Sequence, residues 1–238
     1  MTWLDHALVF MFAVGYPVWA YVDYQRLKAR VRAGICGARL AAYADGMLSQ
    51  WLLVSAVVAL WIHSGRAFVE IGFSAPVTRD FLLALAAATA MGALLLLQSA
   101  HVVRRPETHA QVRGTMVKFV EVLPVQRTDL TGFIAMSVTA GICEEILFRG
   151  VLGWYFGHWL GPWAAHGVAV AIFGVAHLYQ GPTGAARSAL AGAVMAGLYL
   201  WSGSLLPSML AHALVDITSG WMAYEVLRER GSETAAAG

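Results

Sequence analysis

The chain has 238 residues, of which 59% are hydrophobic and 13% are charged, whereas soluble domains have about 45 to 50% and about 25%. This composition predicts an integral membrane protein and excludes disordered, collagenous and disulfide-rich classes. The formal net charge of +2 is too small to indicate a nucleic-acid partner, so the lipid bilayer is the expected surrounding. The two cysteines, Cys36 and Cys143, lie in such different sequence contexts that we expect both to be reduced.

The N-terminal part, residues 1–129, contains three uncharged apolar runs close to the length that crosses the hydrocarbon core. They are 7–22, 46–62 and 81–100. The chain start lacks the basic flank and cleavage site of a removable signal peptide, so the first run is predicted to remain as a helix. A connection follows, in which 105–127 mixes apolar and basic residues. It predicts either an amphipathic segment on the cytoplasmic face or a solvated loop.

The stretch from Leu130 to Tyr224 has room for four more helices and contains only five charged side chains. These are Glu144, Glu145, Arg149, Arg187 and Asp216. Clusters of Gly, Pro and Ser predict breaks between the four helices at 157–161, 180–184 and 202–204. The predicted fold is therefore an all-α transmembrane bundle of about seven spans, with a helical core over 130–225 and a short cytoplasmic tail over 226–238.

The distribution of Lys and Arg predicts the orientation, since short cytoplasmic loops carry an excess of both. With seven spans, thirteen of the sixteen basic residues fall on one side, only Arg66 and Arg79 on the other, and Arg149 within a helix. This places the N-terminus outside and the C-terminus in the cytoplasm. The absence of a large loop or a targeting segment favours a prokaryotic plasma (inner) membrane.

Three ionisable residues within one apolar helix need partners, because each costs about 2.5 to 3.5 kcal/mol to insert. Glu145 and Arg149 are four residues apart in the favourable order for an ion pair, which predicts a structural brace. Glu144 is rotated by about 100° from its neighbour and has no local counter-charge. We therefore expect its partners to come from other helices.

Two later helices carry suitable side chains. His177 follows Phe173 by one turn, and His212 precedes Asp216 by one turn. Brought together with Glu144, these groups have the chemistry for proton transfer, metal binding or water activation. An isolated intramembrane histidine is often only a hydrogen-bonded helix contact, but this whole set lies in an almost uncharged core. Cys143 has no nearby activating histidine and is interpreted as a small buried hydrophobe.

In this order, the motifs Glu144-Glu145-X-X-X-Arg149, Phe173-X-X-X-His177 and His212-X-X-X-Asp216 resemble those of the CPBP family. That family includes type II CAAX prenyl proteases and bacteriocin-processing and immunity proteins. The resemblance implies an intramembrane endopeptidase with a wet cavity that opens to the cytoplasm. It also implies a role for each matched residue. Glu144 would be the general base, His177 would assist it, and His212 would stabilise the oxyanion.

The same resemblance assigns Glu145 and Arg149, with Phe173, to support of the site. Asp216 departs from the prenyl proteases, which have asparagine there. An ionised aspartate cannot donate to an oxyanion, so Asp216 would instead orient or charge His212, or be kept protonated. The family favours a glutamate mechanism without a cofactor. Zinc is the alternative, with Glu144, His177, His212 and Asp216 as ligands, although the chain has no His-Glu-X-X-His helix.

The predicted substrate is a membrane-anchored peptide or protein, such as a prenylated tail or a leader peptide, and the oligomeric state is left open. Two other functions fit the polar core. A non-proteolytic immunity or scaffold protein would keep the motifs as a polar network. A proton-coupled transporter would use intramembrane Glu, His and Asp groups, although the paired halves of many transporters are missing.

One feature of this layout conflicts with a simple bundle. Glu144 is 12 to 14 residues from the start of its predicted span, whereas His177 is close to the end of the next one. At about 1.5 Å per residue, the two differ in depth by more than ~10 Å. We therefore expect the turn at 180–184 to dip into the bundle, which is tolerated beside a water-filled cavity.

Overall fold

The computed structural model describes residues 1–236, and the side chains of residues 1–228. Within this part the chain is 83% helical and has no strands, which confirms the predicted all-α class. Eight helices follow one another: α1 (Trp3–Arg32), α2 (Ala38–His63), α3 (Arg79–Val103), α4 (Pro106–Met116), α5 (Arg127–Gly157), α6 (Pro162–Ala176), α7 (Pro182–Ser202) and α8 (Leu205–Ala236).

Four of the described helices are long and apolar enough to cross a membrane, namely α1, α2, α3 and α5. The three runs predicted in the N-terminal part lie within α1, α2 and α3. Helix α6 has only 15 residues, about 22 Å at 1.5 Å per residue, and is shorter than a hydrocarbon core of about 30 Å. The count of seven spans is therefore not confirmed and stays a prediction, as does the orientation of the termini.

The structure has a break at or near each of the three predicted positions in the C-terminal half, although the middle one lies at 177–181 and not at 180–184. Helix α5 ends at Gly157 and α6 begins at Pro162, while α7 ends at Ser202 and α8 begins at Leu205. Between α6 and α7 the chain forms a short 3₁₀ turn and then passes through Gly181, whose φ is +82°. Glycine adopts this left-handed conformation without steric penalty, which lets the chain reverse there.

The connection after α3 is packed against the bundle. Its Met116 and Leu123 are buried in a small apolar cluster with Ala223 of α8. Nearby, the buried carboxylate of Glu121 accepts a hydrogen bond from the Tyr24 hydroxyl at 3.0 Å and pairs with Arg32 at 3.2 Å. The amphipathic interpretation of 105–127 therefore describes it better than a solvated loop, because its apolar residues have a packing surface.

Helix α5 packs against α2 and α8. The approach to α8 is close at Gly141, where an added Cβ would lie 2.9 Å from the Cβ and the backbone nitrogen of Ala213. The regular helix of α5 ends at Glu145 and passes into a fully buried π-helical turn, Ile146–Leu152, before it resumes. Single π-helical turns of this kind frequently occur at functional sites.

Replacing Gly141 by alanine is expected to destabilise the protein by about 1 to 3 kcal/mol, because the added methyl forces α5 and α8 apart. Gly167 on α6 is the matched control, since an added Cβ there meets nothing within 4 Å. Gly167→Ala is expected to raise stability by up to about 1 kcal/mol through helix propensity. Thermal unfolding of both purified variants in detergent measures the difference, and equal midpoints would contradict the close contact.

Candidate active site

The predicted ion pair between Glu145 and Arg149 is present. Both side chains are buried, and Arg149 Nη1 lies 2.9 Å from Glu145 Oε1. Arg149 also donates from Nη2 to the Gly192 carbonyl at 2.8 Å, and its guanidinium lies 4.9 Å from the centre of the Phe173 ring. The arginine therefore ties α5 to α6 and α7, which agrees with the expected structural brace.

His212 of α8 lies between three carboxylates. Its Nδ1 is 2.7 Å from Glu145 Oε1, while its Nε2 is 3.7 Å from both Glu144 Oε2 and Asp216 Oδ2. A carboxylate that is paired with arginine can only accept, so Nδ1 carries a proton that it donates to Glu145. The contact fixes the plane of the ring and turns Nε2 towards Glu144 and Asp216.

The two adjacent glutamates have different surroundings. Glu144 lines a cavity of about 400 Å³, and its Oε1 accepts a hydrogen bond from Gln50 Nε2 of α2 at 2.9 Å. Glu145 and Arg149 do not line this cavity and lie within the protein. Of the two carboxylates, Glu144 is thus the one that a molecule in the cavity can contact.

His177 lies just after the last residue of α6 and also lines the cavity. Its Nδ1 is 2.8 Å from the Phe173 carbonyl oxygen, and its ring centre is 4.5 Å from that of Phe173. A carbonyl can only accept, so Nδ1 donates and Nε2 keeps a lone pair. Phe173 also packs against His212, with ring centres 5.9 Å apart, and so contacts both histidines.

The structure therefore brings all four predicted catalytic residues to one cavity. Glu144 and Asp216 each lie 3.7 Å from His212, and His177 lines the same cavity. The short 3₁₀ turn after His177 contributes Tyr179 and Gln180 to the lining, whereas residues 182–184 of the predicted turn belong to α7.

Two residues of this site, Gln50 and Tyr16, were not predicted from the sequence. Gln50 is 1% exposed and contacts Glu144, and its Nε2 lies 3.4 Å from the Tyr16 hydroxyl. A side-chain amide within the apolar run 46–62 was the available signal, because a buried amide needs a hydrogen-bond partner in the membrane as a charge does. Residues 1–129 therefore contribute to the site although they carry none of the three motifs.

The four residues of the alternative zinc set are not grouped as metal ligands among the described side chains. Within the side chains that the structure describes, no three His, Cys, Asp or Glu residues are grouped so that they could hold a metal ion. The Nδ1 atoms of His177 and His212 already contact Phe173 and Glu145, and the Nε2 of His212 is 3.7 Å from its nearest carboxylates. Among the described side chains, one nitrogen of each histidine is thus engaged with a residue outside the set of four.

Comparison with known proteins identifies the segment that carries these residues. The family model described as type II CAAX prenyl endopeptidase Rce1-like matches residues 126–218. This segment is therefore similar to that family of endopeptidases. The match extends from the N-cap of α5 into α8 and includes all seven motif residues, which confirms the resemblance to the CPBP family. No curated protein and no solved structure matches the chain.

The family match implies a peptidase embedded in the membrane, acting on a membrane-associated peptide. The match does not support the two other functions considered for the polar core. Neither an immunity or scaffold protein nor a proton-coupled transporter is indicated by a family model of prenyl endopeptidases. Helices α1 to α4 lie outside the matched segment, so their part in the site rests on the contacts of Gln50 and Tyr16.

Proposed function

We propose that the protein is an intramembrane endopeptidase in which Glu144 activates a water molecule for attack on a peptide bond. The observation that carries this proposal is the exposure of Glu144 to a cavity within the bundle, beside His212 and within the segment of the family match. Such a carboxylate is suited to general base catalysis when the water and the scissile carbonyl both fit within hydrogen-bond reach.

In this mechanism a water molecule gives a proton to Glu144 as its oxygen attacks the carbonyl carbon, and the carbonyl electrons move to the oxygen. When the tetrahedral intermediate collapses, the C–N bond breaks and Glu144 returns the proton to the leaving amine. His177 assists by accepting a hydrogen bond from the same water. Its Nε2 is suited to this because Nδ1 is engaged with the Phe173 carbonyl.

His212 stabilises the oxyanion by donating from Nε2, which requires a protonated ring because Nδ1 already donates to Glu145. The carboxylates of Glu144, Glu145 and Asp216 supply the counter-charge that an imidazolium in a buried site needs. Asp216 therefore acts through His212 in this proposal. Glu145 fixes the orientation of His212 through its contact with Nδ1, and Arg149 holds Glu145 in place.

The proposed substrate is a peptide anchored in the membrane, with a prenylated C-terminal tail as the first candidate and a leader peptide as the second. The wall of the cavity combines aromatic and aliphatic side chains with the few polar groups of the site, as is typical of pockets that bind largely apolar ligands. The description of the matched family names prenyl endopeptidases, which supports the first candidate.

We place the protein in a prokaryotic plasma membrane, with the N-terminus outside and the C-terminus in the cytoplasm. The asymmetric distribution of Lys and Arg supports this orientation. The cavity lining includes Asp23 and Leu27 of the C-terminal half of α1, which also carries the basic residues Arg26, Lys28, Arg30 and Arg32. A substrate would then enter from the cytoplasmic side.

The experiment that tests this function uses the purified full chain in liposomes. The probe is a fluorogenic peptide whose S-farnesyl cysteine lies three residues before a free C-terminus. We expect release of the last three residues, identified by mass spectrometry, at a rate that 1,10-phenanthroline leaves unchanged. Intact peptide at the end of the reaction would contradict the prenyl-peptide proposal, and inhibition by the chelator would contradict the glutamate mechanism.

A further inference from the structure

Glu144 has a hydrogen-bond partner outside the segment that matches the family. Gln50 of α2 donates from Nε2 to Glu144 Oε1 at 2.9 Å, and the same nitrogen lies 3.4 Å from the Tyr16 hydroxyl of α1. Both hydrogens of the amide nitrogen thus have an acceptor. The contact links the two N-terminal helices to the residue proposed as the base.

The other half of the Gln50 amide is unsatisfied. Its Oε1 is buried and has no hydrogen-bond partner among the side chains that the structure describes. A buried polar atom without a partner lowers stability, and an apolar residue of similar volume would avoid that cost. The placement of Gln50 is therefore better explained by its donation to Glu144 than by a contribution to folding.

The orientation of Glu144 follows from this contact. With Oε1 held by Gln50, Oε2 lies on the side of His212, 3.7 Å from its Nε2. A carboxylate restrained at one oxygen keeps the other in a fixed position towards the cavity. Restraint of this kind lowers the entropic cost of reaching a reactive geometry.

We propose that Gln50 is a positioning residue, which orients the carboxylate of Glu144 towards the water and the scissile carbonyl. This inference rests on the proposed function. It adds that the active site is composite, with one polar group supplied by the N-terminal helices. Tyr16 takes the second amide hydrogen and so prevents the side chain of Gln50 from turning away from Glu144.

The test compares Gln50→Met with wild type in the liposome assay with the farnesylated peptide. Methionine has a similar volume and no hydrogen-bond donor. We expect kcat to fall about 10- to 100-fold, the loss that follows removal of a hydrogen bond to a charged group worth about 1.5 to 3 kcal/mol. We expect KM to change less than threefold, since Gln50 acts on Glu144 and not on the bound peptide.

Gln98→Met is the matched control, because Gln98 is an exposed amide on α3 at a distance from the cavity lining. It should leave kcat and KM at the wild-type values. If Gln50→Met does not fold, Gln50→Glu gives a second test, since it keeps the shape and replaces the amide donor by a carboxyl group. It is also expected to lower kcat by at least tenfold.

The outcomes separate the inference from the proposed function. If wild type cleaves the peptide, Glu144→Gln does not, and folded Gln50→Met has the wild-type kcat, the positioning role is wrong while the peptidase stands. A rise in KM with kcat unchanged would also overturn it, because Gln50 would then contribute to substrate binding. If wild type itself leaves the peptide intact, the proposed function and the inference fail together.

Discussion

Glu144→Gln is expected to lower the cleavage rate by roughly 10² to 10⁴-fold, the usual contribution of a general base. Glutamine has nearly the same size but cannot take a proton from water. Its carbonyl oxygen can still accept the hydrogen bond from Gln50, so the contact between α2 and α5 is preserved. The measurement is the initial rate of cleavage of the farnesylated peptide by equal amounts of folded protein.

The control for this substitution is Glu107→Gln, which makes the same chemical change at an exposed position in the first turn of α4. It should cleave at the wild-type rate. Thermal unfolding of both variants checks that the loss at Glu144 is not a loss of structure. Cleavage by Glu144→Gln at the wild-type rate would show that another group activates the water.

Arg149→Met is expected to destabilise the protein by about 3 to 5 kcal/mol. The substitution leaves Glu145, which is 0% exposed, without its cationic partner on α5, and it leaves the Gly192 carbonyl without its donor. Removing one member of a buried ion pair has this large effect because the remaining charge is no longer compensated. The measurement is the free energy of unfolding in detergent, or the thermal midpoint where unfolding is irreversible.

The matched control is Arg228→Met on α8. Arg228 also pairs with a glutamate on its own helix, at 2.5 Å from Glu225, but its side chain is 54% exposed. Exposed pairs contribute about 0 to 1 kcal/mol, so the control should barely change the unfolding transition. Equal destabilisation by the two substitutions would contradict the assignment of Arg149 as the brace of the site.

Contacts within one helix were predictable from the sequence. The spacing of Glu145 and Arg149 and that of His212 and Asp216 place each pair on one helical face, and the structure has both pairs in contact. The breaks between helices were also predictable from nearby residues, because clusters of Gly and Pro interrupt a helix. Three polar motifs in order, each within an apolar stretch, were the signal for the segment that matches the family model.

Contacts between helices were harder to predict. Gln50 and Tyr16 carry no charge, and nothing in their spacing indicates that α1 and α2 contact Glu144. The π-helical turn at Ile146–Leu152 was also not predicted, because hydrophobic periodicity does not distinguish it from a regular helix.

The most direct test of glutamate-dependent proteolysis is a comparison of protein termini in membranes of the native host. Cells express either wild type or Glu144→Gln at equal abundance, and mass spectrometry identifies the termini of membrane-associated peptides and proteins. We expect at least one terminus that is present with wild type and missing with the variant, and that persists when zinc is chelated. Identical sets of termini in the two membranes would contradict it.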